Sequence, residues 1–369
     1  MKLLILMSDT GGGHRSAADA IAAALERLDP RSSVELLDFF SSCAPFPLNQ
    51  AGTVYGPWVN HAAVLWGAGY HLTDGRRRAA LIGRMISLAT RRQVEAKLQA
   101  AQPDVLACVH PLATRLAADV RRRAGRTLPL ATIVTDLSTA HAAWFTQDVD
   151  LLVAPSEPVR QRAVESGIPG DRVIITGQPV HPKFTETDAD PCTIRQSLGL
   201  DPKRFTVLLI GGGEGMGRVA DMARAIDRAG LPVQQLVICG RNESLQRRLE
   251  RQPWRVPTHI FGFVRNMPTL MRAADVVATK AGPGTICEAL VVGRPILLTG
   301  YVPGQERGNV DFVVGGGAGQ LTETPRALIA ALQNLLNSGG QAQERMTESA
   351  RRLAKPSAAW DIARLLLDL

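Results

Sequence analysis

Lysine is scarce. Only 6 of the 42 basic residues are lysine and the rest are arginine, a bias that a GC-rich genome produces. The net charge of +8 leaves room for an anionic partner: nucleotide phosphate, acidic lipid or nucleic acid. Cysteine is scarce too. The five cysteines (Cys43, Cys108, Cys192, Cys239, Cys287) are scattered, with no C-x-x-C pair. That argues against a disulfide framework and a structural zinc site, and for a reducing compartment. No apolar run reaches the ~18 residues of a membrane span. The N-terminal run LLILM is too short for a signal peptide and meets Asp9 and His14 at once. No G-x-x-x-x-G-K-[ST] occurs, which argues against a P-loop NTPase. No G-x-G-x-x-G occurs either. Glu35 and Asp38 in VELLD stand roughly where a dinucleotide fold keeps its ribose acid, so a nicotinamide enzyme is disfavoured and not excluded. No D-x-D motif and no His/Asp ligand cluster is singled out, so no metal and no cofactor are expected. No nucleic-acid recognition module is present, and no such partner is expected.

What is present is an alternation of strands and helices. LLILM, SVELLD, PDVLACV, PLATIVT, DLLVAP and RVIITG read as buried strands, with helical patterns at 16–28, 91–101, 112–124 and 157–166. A second series follows: FTVLLI, QQLVICG, THIFGF, DVVATK and RPILLTG. Alternation of this kind predicts an α/β fold with parallel sheets covered on both faces. A chain of 369 residues is long for one core. The looser stretch 185–204 separates two doubly wound domains, 1–185 and 186–345. Residues 346–369 form a C-terminal helix that can pack back on the first domain.

One segment breaks the pattern. Residues 39–70 hold seven of the seventeen aromatics, including Trp58 and Trp66. Residues 75–94 (GRRRAALIGRMISLATRRQV) hold six arginines, among them Arg76, Arg77, Arg78 and Arg84, and no acid. The pair fits an interfacial membrane element on anionic lipid. A core insertion with a solvated basic face fits these residues equally well.

Three glycine turns follow strands: DTGGGH (9–14), IGGGEGMGR (210–218) and KAGPGTICEAL (280–290). A strand, a glycine turn and a helix N-terminus expose backbone N–H groups to an anion. Gly212, Gly213 and Gly215, with Gly282, Gly284 and Thr285, can take a diphosphate. Glu288 lies one turn beyond Gly284 and can accept two hydrogen bonds from a ribose diol. Alone it reads as a first-turn acid on a helix dipole. In YVPGQERGN, Gln305 and Glu306 offer an amide beside a carboxylate, a pair suited to sugar hydroxyls.

MSDTGGGHRSAADAI, VHPL, TDLSTAHAAWF, PSEPV, GGGEGMG, ICGRN, FGFVRNM, TKAGPGTICEAL and YVPGQERGNV together resemble the monogalactosyldiacylglycerol synthase family and the related bacterial diacylglycerol glucosyltransferases. More distantly the chain is similar to the peptidoglycan N-acetylglucosaminyltransferase. The resemblance implies a GT-B fold, two Rossmann-like domains facing a cleft. It implies inverting transfer of a hexose, galactose ahead of glucose, from a UDP-sugar to the hydroxyl of diacylglycerol. The UDP-sugar is then a substrate, bound by the residues above with Arg241 and Phe263. His14 would be the base, and Asp136 and His141 would line the acceptor side with Gly12 and Gly13. His110 would be a wall or structural residue. The protein would sit peripherally on the cytoplasmic face of the cell membrane. A UDP-GlcNAc transferase acting on an undecaprenyl-linked acceptor is the alternative, and a sugar-nucleotide binding or epimerising protein is a third reading. The chain departs from the family pattern around His141 and at Pro158.

Overall fold

The computed structural model describes residues 1–10, 12–54, 62–123, 128–186, 189–213, 215 and 217–369, with backbone alone at 63 and 64. The chain forms two compact units.

The first unit holds a six-stranded parallel sheet of order β2-β1-β3-β4-β5-β6. Its strands are β1 (Lys2–Met7), β2 (Ser33–Asp38), β3 (Val105–Cys108), β4 (Leu130–Ile133), β5 (Leu151–Ala154) and β6 (Val173–Ile175). The unbroken apolar runs follow from burial on both faces. Leu3, Ile5 and Met7 enter one core, while Leu4 and Leu6 enter the other. The first core is small-residue-rich. Helix Gly13–Leu28 lays Ala17, Ala18, Ala20, Ile21, Ala24 and Leu25 inward. Helix Ala358–Leu367 adds Ala359, Ile362, Ala363 and Leu366 to the same core.

The second unit repeats the design with order β12-β11-β10-β7-β8-β9. The strands are β7 (Phe205–Ile210), β8 (Val233–Ile238), β9 (Thr258–Phe261), β10 (Val276–Lys280), β11 (Ile296–Gly300) and β12 (Gly319–Leu321). The sequence pattern does not reveal β12, three residues too short to show a period.

The units are not two consecutive blocks. The first contains 1–182, 302–308 and 355–369; the second contains 183–301 and 309–354. The boundaries drawn from the sequence at 186 and 346 therefore shift. More consequentially, the short segment 302–308 leaves the second unit and belongs to the first.

Candidate active site

In each sheet, winding reverses beside the first strand of its series: between β1 and β3, and between β7 and β10. Ligands of doubly wound sheets bind outside the carboxyl ends of strands at such a reversal. The three glycine turns leave the ends of β1, β7 and β10.

At the end of β1, Gly12 has φ +76° and caps helix Gly13–Leu28. A Cβ at Gly12 or Gly13 would meet nothing within 4 Å, so open space faces both. His14 follows in the first helical turn. Its Nδ1 is 2.8 Å from the carbonyl oxygen of Val109, beyond β3, and 2.9 Å from Thr135 Oγ1. A carbonyl only accepts, so Nδ1 carries the proton and Nε2 keeps its lone pair. Protein encloses the ring, and that loss of solvation lowers its pKa to about 4, with the Val109 bond opposing. His14 is therefore neutral near pH 7. His110 packs edge-on at 4.5 Å between centroids. Its Nδ1 accepts from the Leu112 N–H at 3.2 Å, which leaves Nε2–H to donate to Thr10 Oγ1 at 3.1 Å. Both nitrogens of His110 are occupied. Asp38, the candidate ribose acid, is committed as well: it caps helix Phe39–Cys43 through the N–H groups of Phe40 and Ser41.

Beyond β4, Asp136 is buried at 7% exposure. It accepts from Trp144 Nε1 at 2.7 Å, from the His141 backbone N–H and from the Gln305 side chain. Burial is the largest influence and raises its pKa to about 6; the three hydrogen bonds lower it, and Glu306 raises it further. His141 is fixed by both nitrogens. Nδ1 accepts from the Ala143 N–H at 3.1 Å, and Nε2 lies 3.2 Å from Thr73 Oγ1. It is a wall, with Tyr70 against it at 4.8 Å.

Segment 302–308 lies over this wall. Pro303 meets Gly67, and Gly304 meets Tyr70 and His71. A Cβ at Gly67 would stand 2.9 Å from the Pro303 Cβ, so the helix Ala63–Thr73 needs glycine there. The Gln305 and Glu306 side chains have different fates. Glu306 is buried at 4% exposure, and its Oε2 accepts the Val302 N–H at 2.8 Å. The carboxylate closes its own loop. Gln305 Oε1 is buried and meets no donor among the described residues.

In the second unit, Gly212 (φ +70°) and Gly215 (φ +60°) shape the turn after β7. The Arg241 N–H donates to the Gly213 oxygen at 2.8 Å. The Arg241 guanidinium stacks 4.6 Å over the ring of Phe263, which is 55% exposed. Helix Pro283–Val292 starts at Gly282 without a side-chain cap. Pro283 has no N–H, and Gly284 and Thr285 point theirs out of the first turn. Glu288 follows one turn on. Sequence reasoning passed over Lys280. It ends β10, and its Cε would lie 3.8 Å from a Cβ at Gly212, a cation beside the glycine turn.

Helix Arg76–Ala101 buries Ala79, Gly83, Ile86, Ser87, Thr90, Val94 and Leu98. Arg76, Arg77, Arg78 and Arg84 are exposed along its first three turns, and Leu81, Met85 and Leu88 are exposed as well. Sequence reasoning did not single out these three apolar residues; their spacing across the buried stripe was the available signal. Trp66 is only partly exposed, with its indole nitrogen inside. Trp58 lies outside the described residues. No described helix is long and apolar enough to cross a membrane. Two D-x-D triplets do occur away from the glycine loops. Asp148 and Asp150 pair with Arg122 and Arg121. In the other, Asp190 caps helix Pro191–Ser197, and Asp188 lies outside the described residues. Pro158 sits in the first turn of helix Glu157–Glu165, where a missing N–H costs nothing.

Two Rossmann-like units, each with glycine turns at its sheet reversal, define a GT-B fold of the glycosyltransferase class. The family model described as Monogalactosyldiacylglycerol (MGDG) synthase matches residues 14–180, and the Glycosyltransferase family 28 C-terminal domain matches 206–362. The chain belongs to the monogalactosyldiacylglycerol synthase family. Monogalactosyldiacylglycerol synthase 1, chloroplastic, of Arabidopsis thaliana is 38% identical over 98% of this chain and 69% of its own. Among solved structures, UDP-GlcNAc 2-epimerase from Neisseria meningitidis bound to UDP-GlcNAc matches with a TM-score of 0.65 at 15% identity. Acinetobacter baumannii MurG matches at 0.61 and 17%. Both matches cover 100% of each chain, and at such identities they share the fold.

Proposed function

We propose that the protein is an inverting hexosyltransferase that moves a hexose, galactose ahead of glucose, from UDP to the hydroxyl of diacylglycerol. The observation that carries this is His14: neutral, with Nδ1–H tied to Val109 and Nε2 unprotonated, in the first turn after the glycine loop. The acceptor hydroxyl gives its proton to Nε2 while its oxygen bonds to the anomeric carbon. The bond from that carbon to the diphosphate breaks, and UDP leaves with the electron pair. The N–H groups of Gly284 and Thr285, the 211–217 turn and Lys280 meet the charge on the leaving group. Glu288 takes the ribose diol, and Phe263, stacked by Arg241, faces the base. The family relationship supports diacylglycerol as acceptor. The exposed arginines and apolar side chains of helix Arg76–Ala101 support peripheral attachment to anionic lipid, on the cytoplasmic face.

The test is direct. The protein is incubated separately with UDP-galactose, UDP-glucose and UDP-GlcNAc, each with diacylglycerol in phosphatidylglycerol vesicles. A β-galactosyl lipid from the first is the expected product. No transfer to diacylglycerol from any donor, with transfer from UDP-GlcNAc when an undecaprenyl-linked sugar is supplied instead, would replace this reading with the peptidoglycan-type one.

Two substitutions probe the donor side. Glu288→Ala is expected to weaken UDP itself by about tenfold, the loss of a charge-assisted bond. Gln305→Ala is expected to raise the KM for UDP-hexose while UDP inhibition stays unchanged. Equal weakening of UDP in both variants would remove Gln305 from the sugar. The glycine turn can be tested by backbone sterics. Gly240 has φ +58°, and a Cβ there would stand 2.4 Å from the Gly213 oxygen. Gly240→Ala must push the 211–217 turn away, so UDP affinity should fall by roughly tenfold or more. Calorimetry showing unchanged affinity would mean the turn does not hold the diphosphate.

A further inference from the structure

We infer that Asp136 is a positioning residue that fixes which way round the Gln305 amide sits, so that Gln305 accepts a hydrogen bond from a hexose hydroxyl through Oε1. The inference rests on hexose transfer as the function.

An ionised carboxylate only accepts hydrogen bonds. Asp136 receives three donors: Trp144 Nε1, the His141 backbone N–H and the Gln305 side chain. Gln305 must therefore turn its NH2 toward Asp136, which sends Oε1 the other way. That oxygen is buried and meets no donor among the described residues. A buried acceptor without a partner is costly, and the cost is relieved when a ligand supplies an O–H. Sugar hydroxyls do so. The neighbouring Glu306 is turned into its own loop, where its Oε2 accepts the Val302 N–H. Segment 302–308 is itself anchored, with Gly308 packed on Ser138 and Thr139, two and three residues beyond Asp136. The amide is thus held at a defined place as well as in a defined orientation.

Of the three groups that donate to Asp136, only the Gln305 amide can reverse. Asp136→Asn keeps the shape and adds an NH2, so the Gln305 amide must turn and present NH2 outward in place of Oε1. Gln305→Glu sets two carboxylates face to face. Combining Asp136→Asn with Gln305→Glu exchanges donor for acceptor. The amide introduced by the first substitution gives its NH2 to one oxygen of the carboxylate introduced by the second. The other carboxylate oxygen again points outward as an acceptor.

The readout is calorimetric affinity for UDP-galactose relative to UDP, which isolates the sugar and needs no turnover. Each single variant is expected to lower that ratio about tenfold, with UDP affinity unchanged. The double variant is expected to recover most of it. A ratio unaffected by Asp136→Asn, or a double variant no better than the weaker single one, would overturn the inference. So would equal weakening of UDP and UDP-galactose. A wild-type protein that binds UDP-galactose but makes no glycolipid would instead overturn the proposed reaction, with the affinity ratio still measurable.

Discussion

His14→Ala should lower kcat by roughly 10²–10⁴-fold, the usual worth of a positioned base, while UDP affinity stays constant. No neighbour can replace it. His110 has both nitrogens engaged, Thr10 and Leu112 being its partners, and burial together with the nearby His14 holds its pKa well below normal. Steady-state rates and UDP calorimetry on the same sample check both halves. Lost UDP affinity with turnover intact would end the assignment. Because enclosure lowers the His14 pKa to about 4, the acid limb due to this group falls near pH 4 and not at its ordinary 6.5. The same shift affects stability. Between pH 6.5 and 4 the unfolded chain binds the proton and the folded one does not, so His14 favours folding fully above pH 6.5 and progressively less as the pH falls. Asp136 acts in the opposite sense. Its pKa rises from 3.8 to about 6, so its contribution favours folding at low pH and is lost as the pH rises through that window.

The second large effect concerns lipid. Changing Arg76, Arg77, Arg78 and Arg84 together to Gln should weaken binding to phosphatidylglycerol vesicles by roughly several hundred-fold at low salt, on the order of 1 kcal/mol per basic residue. All four side chains are exposed, in the first three turns of the helix. Raising the ionic strength should shrink the difference, because exposed charges are screened beyond about 10 Å at 0.1 M salt. Leu81, Met85 and Leu88 should be unaffected by salt, and residual binding to neutral vesicles should track them. Sedimentation across lipid charge and salt separates the two parts. Binding that survives the fourfold change would make these arginines a solvated face and move the membrane contact elsewhere.

Most strands were legible because they are short apolar runs buried on both sides, a local signal that the three residues of β12 lack. The glycine turns were legible because a positive φ at Gly12, Gly212 or Gly215 restricts the choice of residue. The tautomer of His14 was not legible. It depends on the Val109 carbonyl, 95 residues away, which β1–β3 pairing brings alongside. The unequal fates of Gln305 and Glu306 were hidden for the same reason. Adjacent and both polar in the sequence, they part because one closes its own loop and the other reaches Asp136. The membership of 302–308 in the first unit could not be read from composition, since Pro303 and Gly304 signal a turn without saying what it touches. Trp66 shows the opposite error: an aromatic in an amphipathic stretch reads as surface, yet its indole nitrogen turns inward.

The helix Ala358–Leu367 has a bearing on how the protein is made. A ribosome makes the chain from the N-terminal side, yet the first unit lacks Ala359, Ile362, Ala363 and Leu366 until residues 358–367 emerge, after the whole of the second unit. Until then Ile21, Ala24 and Leu25 face water along one side. The second unit ends at residue 354 and has its full complement sooner. The first unit's core is thus completed after the second unit's, and a nascent chain that has not yet exposed residues 358–367 carries an apolar seam for chaperones to cover.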